Sequence, residues 1–347
     1  MLNVDTMKVY APFERICKEW NPKTSRVTKN ICITGNAEET KAPEETTYKI
    51  NVSDIEGITS IDIKPLTDKI TIELSSKILR ENYYKHINKN TLEEAIDNIN
   101  KALYGVLGIN KLSFIDSSSI ARLDVLSDIK QTETGRQLLY RILRRNPREG
   151  YYIQPEGKSS LIITSKAKSN NCRMTIYNKL EELITGRKKT LNLKLFDPYS
   201  HFIDTTRTEL ILRKRTYLRK YLNLEHYKRD IPLEAGIQAI AKPLTKYIHE
   251  FTEANQNPPL FDTLQEKLTR CKTLEEYEKT YGRHAIIREA NYDIRIIRDQ
   301  IRPYFNKSSN LARAVKRYKE LITEERNLEG NEITLLENYI TELEEKQ

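Results

Sequence analysis

Four short stretches, far apart in the chain, alternate apolar and polar residues, and this pattern constrains the fold more than any other feature. They occupy residues 69–73, 121–124, 173–179 and 207–213. A β-strand turns successive side chains to opposite faces, so each stretch predicts a strand with one apolar and one polar face. The apolar positions, which we expect to enter a core, are Ile70, Ile72, Leu74, Leu123, Val125, Met174, Ile176, Leu210 and Leu212.

The opposite faces of these strands carry charged and phenolic side chains. They are Glu73, Arg122, Asp124, Tyr177, Lys179, Arg207 and Glu209. Carboxylates with a tyrosine, a lysine and arginines on one surface are the groups needed to hold a divalent cation and attack a phosphodiester. Plainer interpretations stay open: the Arg-x-Asp and Arg-x-Glu motifs are also typical of cross-strand ion pairs, and one tyrosine among 20 is more often an ordinary surface residue.

The spacing of apolar residues divides the chain into two parts. Up to residue 229, strand patterns alternate with helices, one capped by Thr91 and Glu94 and another over 132–145. Beyond residue 230 the period is helical almost throughout, with helices expected near 233–254, 260–282, 283–304, 310–327 and 331–345. We predict an α+β fold, with a largely antiparallel sheet and packed helices over 1–229 and an all-α domain over 230–347.

The net charge is distributed unevenly. The 347-residue chain has a formal charge of +9; residues 121–220 hold 22 Lys and Arg against 10 Asp and Glu, whereas residues 321–347 hold 2 against 8. The basic middle coincides with the candidate site and favours a polyanionic partner, because phosphate binding releases counterions. A basic surplus by itself is also common in proteins that have no such partner.

Cysteine spacing and hydropathy exclude several classes of protein. Cys17, Cys32, Cys172 and Cys271 are too scattered for a C-x-x-C metal site or a disulfide framework, so we expect reduced thiols. The first 30 residues contain no apolar signal segment, and the chain has no run of about 18 apolar residues to span a bilayer. The sequence therefore predicts a cytoplasmic protein without a membrane partner.

Tyr177 is the candidate nucleophile. A phenol with the reference pKa of about 10 is a poor nucleophile, so positive charge or a metal must favour the phenolate, and Lys179 lies two residues away. Asp124 and Glu209, with Glu73 as a third, offer hard oxygen ligands for Mg²⁺ or Mn²⁺. The candidate contacts to DNA phosphates are Arg122, Arg173, Arg207, Arg213, Arg144 and Arg145.

Three further side chains have weaker claims. His201 precedes Glu209 by eight residues and is a candidate for the metal site, although a loop histidine is usually only solvated. Tyr217 and Tyr221 follow the Glu209 strand, where they can stack bases or act as a second nucleophile. Core or surface packing is the interpretation we favour for both tyrosines.

The order of these motifs resembles that of a known family. The filamentous-phage gene-II-type replication initiators contain a series similar to ITIELSSKIL, SIARLDVLSD, CRMTIYNKLEEL and TRTELILRKRTYLRKYLNL. Plasmid rolling-circle initiators of the replication-initiation-factor type contain a segment similar to SLIITSKAKSNNCRMTIYNK. The resemblance covers residues 65–225, about half of the chain, and its specificity lies in the ordered set.

The resemblance implies a rolling-circle replication initiator of a phage or plasmid, acting in a bacterial host cell. It implies that Tyr177, in a Tyr-x-Lys element, nicks one origin strand, leaving a 5′-phosphotyrosyl bond and a free 3′-OH, and that the strand is later rejoined. It also implies that Asp124 and Glu209 belong to the metal site, with Lys179 assisting. The resemblance supports Glu73 as a metal ligand less strongly, because an Ile-Glu-Leu strand occurs in many proteins. A host polymerase and a helicase would be partners. Apart from the resemblance, the basic helices around residues 283–302 lead us to expect that the carboxy-terminal domain recognises the origin or mediates self-association as a homodimer.

The chain departs from nickases that bind metal through a His-hydrophobe-His pair. None of its five histidines forms such a pair, so a metal would have to be bound mainly by carboxylates. Two rival interpretations remain: a relaxase that nicks DNA for conjugative mobilisation, and a DNA-binding regulator that kept the fold but lost cleavage.

Overall fold

The structure is organised around one large antiparallel sheet. This computed structural model describes residues 2–12, 48–50, 52–64, 67–107, 118–145, 150–156, 160–165, 171–185, 198–252, 264–290, 292–324 and 330–346. The strands within these ranges are β1 (Asn3–Ala11), β2 (Tyr48–Ile50), β3 (Ile58–Lys64), β4 (Lys69–Ser75), β5 (Ser119–Lys130), β6 (Tyr151–Glu156), β7 (Ser160–Ser165), β8 (Cys172–Asn178) and β9 (Thr205–Leu212). They pair in the order β2-β3-β4-β1-β5-β9-β8-β7-β6, always antiparallel.

Helices surround this sheet, which confirms the predicted α+β class. They are α1 (Leu92–Leu107), α2 (Glu133–Arg145), α3 (Lys179–Thr185), α4 (Pro198–Phe202), α5 (Arg215–Leu222), α6 (Leu233–Ile237), α7 (Pro243–Thr252), α8 (Leu264–Thr269), α9 (Leu274–Glu289), α10 (Ile294–Ile301), α11 (Ser308–Glu324) and α12 (Gly330–Lys346), with 3₁₀ helices at Ser76–Lys85 and Arg302–Tyr304. Within the described ranges, none of the helices has the length and hydropathy needed to cross a membrane.

The apolar face of the sheet forms the main core. All nine strand residues predicted to be buried have an exposed fraction of 0%. Helices α2 and α12 pack on this face and are joined to it by tyrosine hydroxyls. Tyr140 of α2 donates a hydrogen bond to the Ile176 carbonyl at 3.0 Å, and Tyr339 of α12 shares one with the Thr208 hydroxyl. The predicted burial of the apolar positions in the four strands is therefore confirmed.

The strand register places the predicted polar residues together on the other face. Tyr177 lies opposite Arg207 on β9, and β9 pairs with β5 in a register that continues this face. Lys8 of β1 lies opposite both Arg122 and Glu73. Because residues directly opposite each other share a face of the sheet, these side chains lie on one surface, named here the polar face.

A β-bulge in β1 brings a further acid to the polar face. The pairing of β1 with β5 shifts by one residue between Val4 and Thr6, so Asp5 lies at the irregularity. Val4 stays fully buried, whereas the Asp5 carboxylate accepts hydrogen bonds from Ser76 and Arg207. A bulge changes the direction of a side chain in this way, and bulges are frequent next to active sites.

The helix boundaries beyond residue 230 differ from the predicted ones. The single helix expected over 233–254 is wrong, because α6 ends at Ile237 and α7 begins at Pro243. Proline has no amide hydrogen to continue a helix but fits the first turn of one. The two helices expected over 260–304 are replaced by α8, α9 and α10, whereas those expected near 310–327 and 331–345 correspond to α11 and α12.

The helices beyond residue 230 belong to two apolar clusters. Leu244 of α7 and Leu343 of α12 join the core of the sheet, together with residues of α6. Helices α9, α10 and α11 form a second cluster that contains Ile287 and Ile297. A separate all-α domain that starts at residue 230 is therefore not confirmed in that form, because several of its helices complete the core of the sheet.

Candidate active site

Tyr177 and Glu209 are in direct contact on the polar face. Tyr177 lies near the end of β8, and Glu209 lies two residues beyond its cross-strand neighbour on β9. The Tyr177 hydroxyl donates a hydrogen bond to Oε2 of Glu209 at 3.2 Å. Both residues are partly exposed. The structure thus brings the candidate phenol next to one of the two carboxylates that the sequence singled out most strongly.

The surroundings of this pair oppose negative charge. Burial, and then the nearby carboxylates of Asp5 and Asp124, raise the pKa of Glu209 to about 7. Burial, and then Glu209 itself, raise the pKa of the Tyr177 phenol well above its usual 10. Near neutral pH, Glu209 is therefore distributed between its protonated and ionised forms, and its ionised form is a stronger base than that of an ordinary glutamate.

Lys179 is buried beside the Tyr177 ring. It begins α3 instead of continuing the strand, and it is 4% exposed. Its Nζ donates to Glu182 at 2.8 Å and lies 5.8 Å from the centroid of the Tyr177 ring. Although burial opposes the charged form, the nearby acidic groups of Tyr83, Asp5 and Glu182 raise the pKa of Lys179. A stable positive charge therefore lies next to the candidate nucleophile.

Arg122 connects the other two predicted carboxylates. Its Nε donates to Oδ1 of Asp124 at 2.8 Å, and its Nη1 donates to Oε1 of Glu73 at 2.7 Å. Asp124 is 1% exposed, and burial raises its pKa to about 6 against the opposing effect of Arg122. Arg122 is thus engaged within the protein while remaining partly exposed, and its contact with a DNA phosphate stays a prediction.

Arg207 is fully buried, so the structure does not favour the DNA contact predicted for it. Its Nε and Nη2 donate to both carboxylate oxygens of Asp128, at 2.7 and 2.8 Å, and its Nη1 donates to Asp5 at 3.3 Å. Although burial opposes both charges, this pairing raises the pKa of Arg207 and lowers that of Asp128. As placed, a guanidinium with an exposed fraction of 0%, held by two carboxylates, does not face a DNA phosphate.

His86 and Ser76 extend the contacts of these two carboxylates. Nε2 of His86 lies 3.1 Å from Oδ2 of Asp128, and Oγ of Ser76 donates to Oδ1 of Asp5 at 2.8 Å. Burial lowers the pKa of His86, so the neutral ring donates its Nε2 hydrogen to Asp128. Ser76 begins the 3₁₀ segment that follows β4, and His86 directly follows its last residue.

The remaining predicted arginines lie on different surfaces. Arg173 is on the same face of β8 as Tyr177 and is partly exposed, and Arg213, directly after β9, is exposed. Arg144 belongs to α2, which packs on the opposite, apolar face of the sheet. The side chain of Arg145 lies outside the described residues. Arg173 and Arg213 therefore stay candidates for DNA contacts near Tyr177, whereas Arg144 belongs to another surface.

The residues with weaker claims have other contacts. The His201 ring stacks on Tyr84, with centroids 4.2 Å apart. Tyr221 is fully buried and donates to Glu250 at 2.7 Å, and Tyr217 packs against the main core. Packing, the interpretation favoured for both tyrosines, is confirmed.

The predicted Mg²⁺ or Mn²⁺ site is not preformed by the described residues. Among them, no group of three or more His, Cys, Asp or Glu side chains is close enough to hold a metal ion. Arg122 binds Asp124 and Glu73 instead, and Tyr177 binds Glu209. As placed, these carboxylates do not fit a bound cation, so metal dependence stays a prediction from the sequence.

Asp5, Asp128 and His86 are site residues that the sequence patterns did not reveal. Asp128 lies four residues after Asp124 on the same strand, so a strict period of two would have placed both on one face. Asp5 could not be found in this way, because alternation from Met7 assigns it to the apolar face. His86 has a φ of 58° after an irregular 3₁₀ segment, where no periodic signal applies.

This arrangement supports nucleophilic attack by a phenol. Glu209 can accept the Tyr177 proton directly across their hydrogen bond, and the ammonium of Lys179 lies beside the phenolate that results. A base in contact with a nucleophile, next to a fixed positive charge, is the combination needed to displace an oxygen from a phosphodiester.

Comparisons with solved structures find a distant neighbour of this chain. No family model and no curated protein matches this chain. Among solved structures, a rolling circle replication initiator protein from Geobacillus stearothermophilus is 14% identical over 61% of this chain and 74% of that chain. Its TM-score of 0.26 is too low to support an argument from shared structure. The functional argument therefore rests on the residues of this chain.

Proposed function

We propose that this protein initiates rolling-circle DNA replication by nicking one origin strand with Tyr177 as the nucleophile. The observation that carries the proposal is the 3.2 Å hydrogen bond from the Tyr177 hydroxyl to Glu209, beside the buried Lys179. Ionisable groups with strongly shifted pKa values that contact one another on a partly exposed polar surface are typical of reaction sites. The ordered motifs of the sequence point to the same chemistry.

The proposed step is an exchange of phosphodiester bonds. Glu209 accepts the phenolic proton while Oη of Tyr177 attacks the phosphorus. A bond forms between Oη and phosphorus, the bond from phosphorus to the 3′ oxygen breaks, and the departing oxygen takes a proton from water to become a free 3′-OH. The 5′ phosphate stays on Tyr177. Attack by a 3′-OH on this phosphotyrosyl bond reverses the step and rejoins a strand.

Origin DNA is the proposed partner of the polar face. Residues 121–220 contribute β5, β8, β9 and 22 Lys and Arg against 10 Asp and Glu, so their surface attracts a phosphate backbone. Arg173 and Arg213 are the exposed or partly exposed arginines proposed to contact DNA next to Tyr177. A host polymerase would then extend the 3′-OH, and a helicase would separate the strands.

The divalent ion is proposed on sequence grounds alone. Asp124→Asn and Glu73→Gln remove one carboxylate each, and the Mg²⁺ and Mn²⁺ concentrations for half-maximal nicking are measured for each variant. A variant that has lost a metal ligand should need a higher Mg²⁺ or Mn²⁺ concentration for half-maximal nicking. If both variants keep the wild-type requirement, neither residue is a ligand.

A comparison of Tyr177→Phe with Tyr152→Phe tests the function. Tyr152 of the edge strand β6 lies opposite Thr164, which in turn lies opposite Arg173, so Tyr152 is on the same face of the sheet as Tyr177. Its variant therefore controls for the loss of a hydroxyl on this face. Supercoiled plasmid carrying the replicon's own origin region is incubated with each protein and Mg²⁺. We expect nicked circles and a covalent protein–DNA adduct from the wild type and Tyr152→Phe, and unchanged supercoils from Tyr177→Phe.

Other outcomes would exclude parts of this proposal. An adduct formed by Tyr177→Phe would remove Tyr177 as the nucleophile. A wild-type protein that binds the origin without nicking it would be a DNA-binding regulator. Nicking that supports transfer to a recipient cell, but no synthesis from the 3′-OH, would indicate a mobilisation relaxase.

A further inference from the structure

The proposed chemistry leaves a network of charged side chains next to Tyr177 unexplained. This Arg207 network consists of Arg207, Asp128, Asp5, His86 and Ser76. Asp128 accepts two hydrogen bonds from Arg207 and one from His86, whereas Asp5 accepts one each from Arg207 and Ser76. Arg207 is fully buried, and less than a quarter of either carboxylate side chain is exposed. Each carboxylate is thus held by donors from two separate segments of the chain.

Such a network is an expensive way to stabilise a sheet. Charges lose hydration when they are buried, and a packed apolar set of similar volume usually stabilises a fold equally well or better. The other face of the same strands shows this apolar solution, since Leu210 and Val125 there have exposed fractions of 0%. The network therefore calls for an explanation other than stability.

The residues next to Arg207 supply that explanation. Tyr177 lies directly opposite Arg207 on β8, and Glu209 lies two positions along β9 on the same face. Directly opposed residues have Cβ atoms about 5 Å apart. Burial raises the pKa of both Tyr177 and Glu209, and the charge of Arg207 acts against this effect by favouring their ionised forms.

We propose that Arg207 is a positioning residue whose fixed charge, held by Asp128 and Asp5, stabilises the negative charge shared by Tyr177 and Glu209 during cleavage. This inference rests on the proposed function. The two carboxylates prevent the guanidinium from turning towards DNA, so its charge is in place before the reaction begins and needs no rearrangement. Arg207 therefore acts on the chemical step and leaves DNA binding unchanged.

The test separates binding from cleavage in folded proteins. Arg207→Lys keeps a charge but cannot reproduce the two parallel bonds to Asp128. Arg213→Gln is the matched control, because Arg213 is exposed just after the same strand. For each variant, the dissociation constant for an origin oligonucleotide is measured at several salt concentrations, and the cleavage rate is measured in a single turnover with all DNA bound. Thermal unfolding confirms that each variant is folded.

We expect Arg207→Lys to bind DNA as tightly as the wild type, with the same salt dependence, and to cleave bound DNA about 100-fold more slowly. Arg213→Gln should show the reverse pattern, with weaker binding and a salt slope lower by about one. A milder pair covers the case in which Arg207→Lys does not fold. His86→Gln keeps a donor for Asp128 and should cleave bound DNA faster than His86→Phe, which lacks the donor.

Several results would overturn the inference. If folded Arg207→Lys cleaves bound DNA at the wild-type rate, Arg207 has only a structural role. Equal cleavage rates for His86→Gln and His86→Phe would likewise mean that the network has only a structural role. Weaker binding with a shallower salt slope would instead identify Arg207 as a phosphate contact. If the wild type itself does not cleave, the proposed function fails and this inference fails with it. If the wild type cleaves and the variants cleave at the same rate, only this inference fails.

Discussion

Replacing Glu209 with glutamine should stabilise this protein by an amount that increases with pH. Glutamine keeps the shape of the side chain and an oxygen that can accept the Tyr177 hydroxyl. It removes a negative charge that burial, Asp5 and Asp124 all oppose. The substitution therefore isolates the electrostatic cost of the candidate base, and its effect does not depend on any DNA substrate.

The sign follows from the higher pKa of Glu209 in the folded chain. This pKa rises from 4.5 to about 7, so the folded state binds the proton more tightly than the unfolded state. The contribution of Glu209 to stability is full below pH 4.5 and is lost as the pH rises through 7. The total loss is about 3 kcal/mol, of which about 2.5 kcal/mol falls between pH 5 and pH 8.

Urea denaturation at pH 5 and pH 8, with EDTA to remove divalent ions, measures this difference. We expect the gain in the free energy of unfolding of Glu209→Gln over the wild type to be about 2.5 kcal/mol larger at pH 8 than at pH 5. Glu73→Gln is the control, because that carboxylate is paired with Arg122 and Lys8 and its loss should destabilise by about 1 kcal/mol at both pH values. Equal effects of Glu209→Gln at both pH values would refute the reasoning.

Two further predictions concern residues outside the reaction. Tyr221→Phe loses the hydrogen bond to Glu250, so it should lower the free energy of unfolding by about 1 kcal/mol in urea and leave nicking unchanged. Loss of nicking with intact DNA binding would instead give Tyr221 a role in cleavage. Leu343→Ala leaves a cavity in the core of the sheet and should cost about 3 kcal/mol in the same measurement. An effect below 1 kcal/mol would mean that α12 contributes little to that core.

The period-two pattern of the strands was sufficient to predict the apolar core positions of four strands and several residues of the polar face. It works because each strand has one face packed against helices, so that a shift of one residue would expose its whole apolar set. Tyr177, Glu209 and Asp124 were found in this way. The chain order of the strands differs from their order in the sheet, where β1 lies between β4 and β5, and no local pattern contains that information.

The same pattern could not show which polar residues are exposed. Arg122 and Arg207 each lie two residues before a candidate carboxylate on the same face of a strand. Nevertheless, Arg122 is partly exposed and Arg207 is fully buried. The difference comes from other segments. His86, directly after the 3₁₀ segment, binds the Asp128 that pairs with Arg207, and the Phe202 ring of α4 lies 5.5 Å from the Arg207 guanidinium. Burial of a polar face therefore depends on distant contacts that strand periodicity does not encode.

The contacts of β9 and β5 explain how helices beyond residue 230 affect the candidate site. Thr208 lies between Arg207 and Glu209 on β9, and its hydroxyl points to the opposite face, where it bonds Tyr339 of α12. Lys346, at the end of the same helix, donates to the backbone carbonyl of Asp128 at 2.8 Å. Helix α12 thus contacts β9 and β5, the strands that carry Arg207 and Asp128. Because the proposed nucleophilic attack would be sensitive to displacements of about 1 Å, these contacts would make the helix part of the support for Tyr177 and Glu209.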